Sequence, residues 1–330
     1  MENNKSFLIV HTNGMGDFLM FTPALKEIIK KYPYCKIDVF LTNSNVKNLI
    51  ENYSNIEKIY TSSLNIIEIL KVVKQLRKNY YDYLIITTGG KTWKAGILSI
   101  LLRAKIKIGE YVYIRNLFYT FNIKRYNFTH FVENNIRMIR EIIEFPITVE
   151  YKLWFPEKEI KIDKNKFRIG IHPGCQKLYK ERRWPKFREL IIKMKNKYSD
   201  IEFFVFLGNE DIELEKDFVE LKNITIVKNK TINEIANYLK TCDLFINSDS
   251  GLGHLYTCFN EKIISIFGPN QIGINQELRT GPYSSKAIII KKRGMTEKYY
   301  SEIGENGILK CLEDITVEEV ILKIESLLRT

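Results

Sequence analysis

The side chains of this sequence with the means to do chemistry gather in four polar turns, each closing an apolar run. The most informative lies in residues 244–270, LFINSDSGLGHLYTCFNEKIISIFGPN, where Asp249, Ser250 and Gly251 separate an apolar strand from a short helix carrying His254. A turn that ends a buried strand and opens a helix offers free backbone N–H groups and a partial positive charge. That suits an anion, above all a nucleotide phosphate. The second turn, Gly14-Met15-Gly16-Asp17 within HTNGMGDFLMFTPAL, sets a carboxylate beside glycines that let backbone approach a ligand closely. The third, His172-Pro173-Gly174, leads into a basic loop with Lys177, Lys180, Arg182 and Arg183 before Trp184-Pro185 opens a helix. Cations at the carboxyl end of a strand suit phosphate charge. The fourth follows Gly208 with Asn209, Glu210 and Asp211, where a carboxylate can accept ribose hydroxyls. Each turn also has an ordinary structural reading. Asp17, Glu210, Asp249 and Ser250 fit helix caps or first-turn acids, the lysines and arginines a solvated loop, and His254 a helix-face histidine.

The elements that must position these turns alternate. Strands are expected at residues 7–10, 36–41, 56–60 and 83–87, with helices at 18–31, 46–51 and 66–78. Residues 103–140 mix Lys, Arg, Tyr and Phe without a clean period, and residues 152–166 form a polar, proline-containing linker. Alternation then resumes, with strands at 167–172, 202–207, 224–227, 244–247, 262–267 and 287–290, and helices at 185–197, 212–221, 232–241 and 317–328. This pattern argues for α/β architecture with parallel, doubly wound sheets. At 330 residues the chain suits two domains, 1–155 and 156–330. The glycine turn at 14–17 falls short of a dinucleotide fingerprint: Leu19 occupies the third glycine position, and Asp38 precedes the end of its strand.

Composition narrows the classes. No run approaches the ~18–20 apolar residues of a membrane span. The opening MENNKSFLIVHTNG lacks a signal-peptide core, so a cytoplasmic protein is expected. The five cysteines are scattered, which argues against zinc or a disulfide framework. Net charge is +12, from 51 basic and 39 acidic residues. Two readings of it stand: a Lys-, Asn- and Ile-rich composition, or an acidic partner such as a phosphorylated substrate or an anionic membrane face. No nucleic-acid module is recognisable, and no nucleic-acid partner is expected.

In their order across nearly the whole chain, GMGD, TPAL, HPG, RRWP, FLGNED, SDSGLGH and FGPN resemble glycosyltransferase family 9, the ADP-heptose:lipopolysaccharide heptosyltransferases and their relatives. The resemblance implies a GT-B architecture: two Rossmann-like domains facing across a cleft, the first binding acceptor and the second binding the nucleotide sugar. The final helix, about 316–329, commonly crosses back onto the first domain. It also implies a metal-independent, inverting transfer in which Asp17 is the general base. Asp249, Ser250 and Gly251 match the donor-binding turn, with His254 on the helix that follows. Arg182 stands where the family usually has lysine, which keeps the charge and changes its geometry. Gly174 and Glu210 lie where donor contacts are expected. Gly16, Lys91 and Lys94 are the acceptor-side candidates. No cofactor is implied beyond the nucleotide sugar, ADP-heptose, as substrate. The implied acceptor is a phosphorylated glycolipid of a lipopolysaccharide or lipooligosaccharide core, with peripheral contact at the inner face of the inner membrane. The basic, aromatic residues of 103–140 fit that contact and fit a structural role equally. Two alternatives remain: another nucleotide sugar in capsule or O-chain synthesis, and a GT-B nucleotide-sugar epimerase.

Overall fold

The computed structural model describes the chain apart from residues 1–3, 64, 90–91, 112–118, 127, 145–148, 157–165, 176, 270–274 and 330. The chain divides into two units, Met1–Glu157 and Lys158–Thr330. In the first, six strands lie parallel: β1 (Ser6–His11), β2 (Lys36–Leu41), β3 (Ile56–Thr61), β4 (Tyr81–Ile86), β5 (Ala104–Tyr111) and β6 (Phe121–Lys124). Their order is β3-β2-β1-β4-β5-β6. Phe7, Leu8, Ile9 and Val10 of β1 are all fully buried, as a central parallel strand covered on both faces requires. Asp38, in β2, is buried too and accepts the Tyr81 hydroxyl at 2.6 Å, so it braces the sheet.

The helices of this unit are α1 (Met15–Lys31), α2 (Lys47–Ile50), α3 (Ile66–Leu76), α4 (Thr92–Leu101) and α5 (Phe131–Arg140). Pro23 lies inside α1, where its missing N–H leaves the Leu19 carbonyl without its helical donor. The buried Thr22 hydroxyl donates to that carbonyl at 2.7 Å and accepts the Trp154 N–H at 2.8 Å, so the TPAL sequence supplies its own repair. The stretch without a clean period, 103–140, resolves into β5, β6 and α5. Its strands lie at one side of the sheet, half covered, so the apolar run is broken by lysines at 105, 107 and 124. Between α1 and α5, Asn135 bridges elements: its amide donates to the Met20 carbonyl at 3.3 Å and its Oδ1 accepts the Thr88 N–H at 3.2 Å.

The second unit repeats the plan. Strands β7 (Phe167–His172), β8 (Ile201–Phe206), β9 (Ile224–Val227), β10 (Leu244–Ser248), β11 (Ile263–Ile266) and β12 (Ala287–Ile290) are parallel, in the order β12-β11-β10-β7-β8-β9. In both sheets the order reverses beside the first strand, between β1 and β4 and between β7 and β10. The carboxyl edge of such a switch point is where open α/β sheets collect ligands. Helices α6 (Phe187–Lys197), α7 (Ile232–Thr241), α8 (Gly251–Thr257), α9 (Glu277–Thr280), α10 (Glu297–Ser301), α11 (Lys310–Glu313) and α12 (Val317–Leu328) complete the unit.

One expected helix winds differently. Where a helix was expected over 212–221, a 3-10 winding covers Asn209–Asp217. It starts directly at Gly208, and its acids Asp211 and Glu213 are tied to Arg183 and Lys180 of another loop, which goes with tighter winding. The final helix α12 closes the second unit. Its buried residues Val317, Val320, Ile324 and Leu327 belong to the core of the second unit, and Lys193 and Lys197 of α6 pair with its Glu318 and Glu325.

Candidate active site

In the first unit the switch point is built around His11, the last residue of β1, which is completely buried. Its Nε2 lies 3.0 Å from the Gly14 carbonyl, which can only accept, so the proton sits on Nε2. Nδ1 then accepts from the Thr87 hydroxyl at 2.8 Å. Burial holds the imidazole neutral, pushing its pKa down to about 4. One ring thus ties the glycine turn after β1 to the loop after β4. That loop is held twice more. The Asn13 amide donates to the Thr88 carbonyl at 3.2 Å, and the Gly89 carbonyl accepts from Arg125 Nη2 at 2.6 Å. Arg125 is itself paired with the buried Glu110 at 2.6 Å. Gly89 has φ +120°, and a Cβ there would fall 2.0 Å from Asn13 Nδ2, so both backbone and space demand glycine.

Asp17 stands in the first turn of α1, partly buried, and its Oδ2 accepts the Gly14 N–H at 3.3 Å. The carboxylate therefore does serve as a first-turn helix acid, at the carboxyl edge of the central strand. Gly16 immediately precedes it on the helix. Lys91 lies outside the described residues; Lys94 is on α4, and its side chain is not among those described.

In the second unit, β7 ends at His172, whose Nδ1 donates to the Phe206 carbonyl at 2.9 Å. Burial lowers its pKa, partly opposed by the charge of Asp211. Gly174 packs against the Asp211 carboxyl group: a Cβ there would sit 2.1 Å from it. Asp211 accepts the Cys175 N–H at 3.2 Å and Arg183 Nη2 at 2.6 Å, and Arg183 also reaches Glu213 at 3.0 Å. At the end of β10, Asp249 Oδ2 accepts from Arg182 and, at 2.9 Å, from the Gln276 amide. Burial raises the Asp249 pKa, while the Arg182 charge and these hydrogen bonds act to lower it. Among the described residues, Arg182 Nε and Gln276 Oε1 are buried without hydrogen-bond partners. Ser250 Oγ accepts from Asn247 Nδ2 at 3.1 Å, and Asn247 Oδ1 accepts the Ser265 hydroxyl at 2.6 Å. The Trp184 N–H donates to Ser248 Oγ at 3.2 Å, fastening the basic loop to the end of β10. Arg182 and Asp249 thus form a charge pair at the second switch point, flanked by the start of α8. Among the described residues, no group of three or more His, Cys, Asp or Glu side chains is arranged to hold a metal ion.

Residues 69–304 match the family model for glycosyltransferase family 9 (heptosyltransferase). The chain belongs to this family. It is a glycosyltransferase. Among relatives, it is 26% identical to lipopolysaccharide heptosyltransferase 1 of Campylobacter coli, over 94% of this chain and 99% of that protein. It is 25% identical to lipopolysaccharide heptosyltransferase 3 of Escherichia coli, over 77% of this chain and 80% of that one. Among solved structures, E. coli heptosyltransferase WaaC with ADP superposes with a TM-score of 0.75 at 18% identity, covering 98% of this chain and 99% of that one. The fold is the α/β GT-B class that the motifs implied.

Within this family 9 member, the structure gathers the candidates into two groups. Gly16 and Asp17 lie at the first switch point. Gly174, Arg182, Asp249, Ser250 and Gly251 lie at the second. Glu210 is exposed, and it is its backbone carbonyl that Arg183 contacts, at 3.4 Å. His254 is buried within α8. Sequence reasoning passed over His11 and Gln276 as site residues, and named Asp211 and Arg183 only as members of their polar turns. A histidine closing an apolar strand before a glycine turn was a usable signal for His11, and the doubled arginine of RRWP one for Arg183. Gln276 carries none, because its partner Asp249 lies 27 positions away.

Proposed function

We propose that this family 9 glycosyltransferase moves a heptose from ADP-heptose to a hydroxyl of a lipopolysaccharide or lipooligosaccharide core, with inversion and without a metal ion. The observation that carries the reading is Asp17, presented in the first turn of α1 at the carboxyl edge of β1 by a glycine turn that His11 and Gly14 hold in place. An acceptor hydroxyl gives its proton to the Asp17 carboxylate as its oxygen bonds to the anomeric carbon. The bond from that carbon to the diphosphate breaks, and ADP leaves. A carboxylate of ordinary basicity suffices, because the proton departs late, when the attacking oxygen is already acidified. Charge on the leaving diphosphate is met by Arg182 and by the N–H groups opening α8 around Ser250 and Gly251. Asp249 and Gln276 present oxygen acceptors, which suit the hydroxyls of the donor rather than its phosphates.

The names of the relatives support heptose and a lipopolysaccharide acceptor, and the ADP of the WaaC structure supports the nucleotide. None of the described helices is long and apolar enough to cross a membrane, which fits an enzyme working on a glycolipid from the cytoplasmic side of the inner membrane. The test is transfer by Asp17→Asn, which keeps the size of the side chain. The kcat should fall by roughly 10²–10⁴, with ADP affinity unchanged and EDTA without effect on the wild type. Full kcat in this variant would remove Asp17 as the base. Arg182 in place of the usual lysine favours one second reading, a different nucleotide sugar used in capsule or O-chain synthesis. A donor panel decides it: release of UDP or GDP rather than ADP selects that reading, and turnover without acceptor marks an epimerase.

A further inference from the structure

All the exposed large aliphatic side chains described in the first unit lie on two helices: Ile66, Ile67 and Leu70 on α3, and Ile97 and Ile100 on α4. Ile66 is 71% exposed and Ile67 59%. Single exposed aliphatics are ordinary; a set at i, i+1 and i+4 of one helix forms a patch. The two helices cover the same face of the sheet, because Val72, Val73 and Leu76 of α3 share a core with Leu98 of α4 and with Leu8, Val10, Leu84 and Ile86 of the strands. Their carboxyl ends are tied together. Arg103 donates to the Arg77 carbonyl at 3.4 Å, and its guanidinium lies 5.8 Å from the centre of the exposed Tyr80 ring. In a parallel sheet each helix starts at the carboxyl edge of the strand before it. Ile66 and Ile67, at the start of α3, therefore stand on the same edge of the unit as the turn that carries Asp17.

The charge around this patch is mostly positive. Lys71, Lys74, Arg77 and Lys78 are exposed along α3 and just beyond it. The acid among them, Glu68, is committed to its own helix start, accepting the Ser63 N–H at 2.8 Å. Apolar side chains flanked by cations are complementary to an anionic bilayer, where the first enter the headgroup boundary and the second meet phosphate. We propose that the outer face of α3 and α4 docks on an anionic lipid surface, and so brings the Asp17 edge to a lipid-anchored acceptor. The second half of that statement rests on the glycolipid reading above; the first half does not.

The experiment uses the full chain with vesicles of phosphatidylcholine alone or with phosphatidylglycerol added, and two acceptors: the glycolipid embedded in vesicles and its water-soluble, delipidated form. The wild type should sediment with the anionic vesicles, not the neutral ones, and should be released as salt rises. Each cation near such a surface is worth about fivefold in binding, so Lys71→Glu with Lys74→Glu should weaken vesicle binding at least ~25-fold. The triple variant Ile66→Ser, Ile67→Ser, Leu70→Ser alters only exposed positions. It should keep the wild-type melting temperature and its rate on the soluble acceptor, lose at least ~10-fold in vesicle binding, and lose a similar factor on the embedded acceptor. Unchanged vesicle binding by both variants overturns the proposal. So does a wild type that is dimeric without lipid beside a monomeric triple variant, since a second copy would then cover the face. A wild type that transfers to neither acceptor overturns the functional reading instead, and vesicle binding still judges the face.

Discussion

At the scale of single residues, His11 holds the first switch point together without being a candidate for contact with substrate. Its two ring nitrogens join the turn after β1 to the loop after β4, and burial favours the neutral Nε2–H form of the ring. The folded protein holds its pKa at about 4, whereas an unfolded chain protonates near ~6.5. The unfolded state thus takes up the proton first. Stability is complete above about pH 6.5, falls as pH drops toward 4 and levels off below. The difference between the two pKa values is worth about 3 kcal/mol. His172 is shifted in the same direction and adds to the slope. Urea unfolding at pH 7.5 and pH 5 should show wild-type stability dropping between them. His11→Asn should be less stable at pH 7.5 yet lose less on acidification; an equal loss in both proteins would rule out His11 as a source. Asp17, Arg182 and the Asp249-Ser250-Gly251 turn were legible from the sequence because each is a polar break after an apolar run. The bonds His11 makes were not, because Thr87 lies 76 positions away.

At the scale of elements, the sheets were legible wherever a strand is buried on both faces and its sequence is a continuous apolar run, as in β1, β7 and β10. Strands β5 and β6 escaped because half-covered strands carry lysines inside the run. The starts of α7 and α12 are readable as capping boxes, Thr231 with Glu234 and Thr316 with Glu319. The turn after β7 is set by something the sequence does not display, the Asp211 carboxylate arriving from the segment after β8. Gly174 is glycine because that carboxyl group fills the place of a Cβ. Gly174→Ala must push Asp211 off the Cys175 N–H and away from Arg183, loosening the loop that carries Arg182. Overpacking of this kind costs about 1–3 kcal/mol. The variant should melt lower and bind ADP more weakly, with kcat at saturating donor much less affected, because Asp17 lies in the other unit. A kcat loss as large as that of Asp17→Asn would contradict this division of labour.

At the scale of the whole molecule, one strand order is used twice, and each sheet ends its central strands in a different chemistry. The first unit places a carboxylate at its switch point, and the second places Arg182, Asp249 and the opening of α8. A nucleoside diphosphate is an anion, and the second edge supplies a cation, Arg182, together with the N–H groups that open α8. ADP should therefore stabilise the second unit directly. A ligand at 100 times its Kd stabilises the state that binds it by about 2.7 kcal/mol. Amides of β7, β8, β10 and β11 that exchange only when their unit opens should slow by roughly 100-fold. Amides in β1, β2 and β4 should keep the rates they have without ligand. Hydrogen exchange followed by mass spectrometry separates these peptides, since the units are contiguous in sequence, Met1–Glu157 and Lys158–Thr330. Equal slowing in both halves would mean that the units open together or that ADP touches both. Slowing confined to the first would reverse the assignment of donor and acceptor sides. The delipidated acceptor gives the complementary experiment, with protection expected around residues 11–17 and 87–89, where His11 ties the two loops that bracket Asp17.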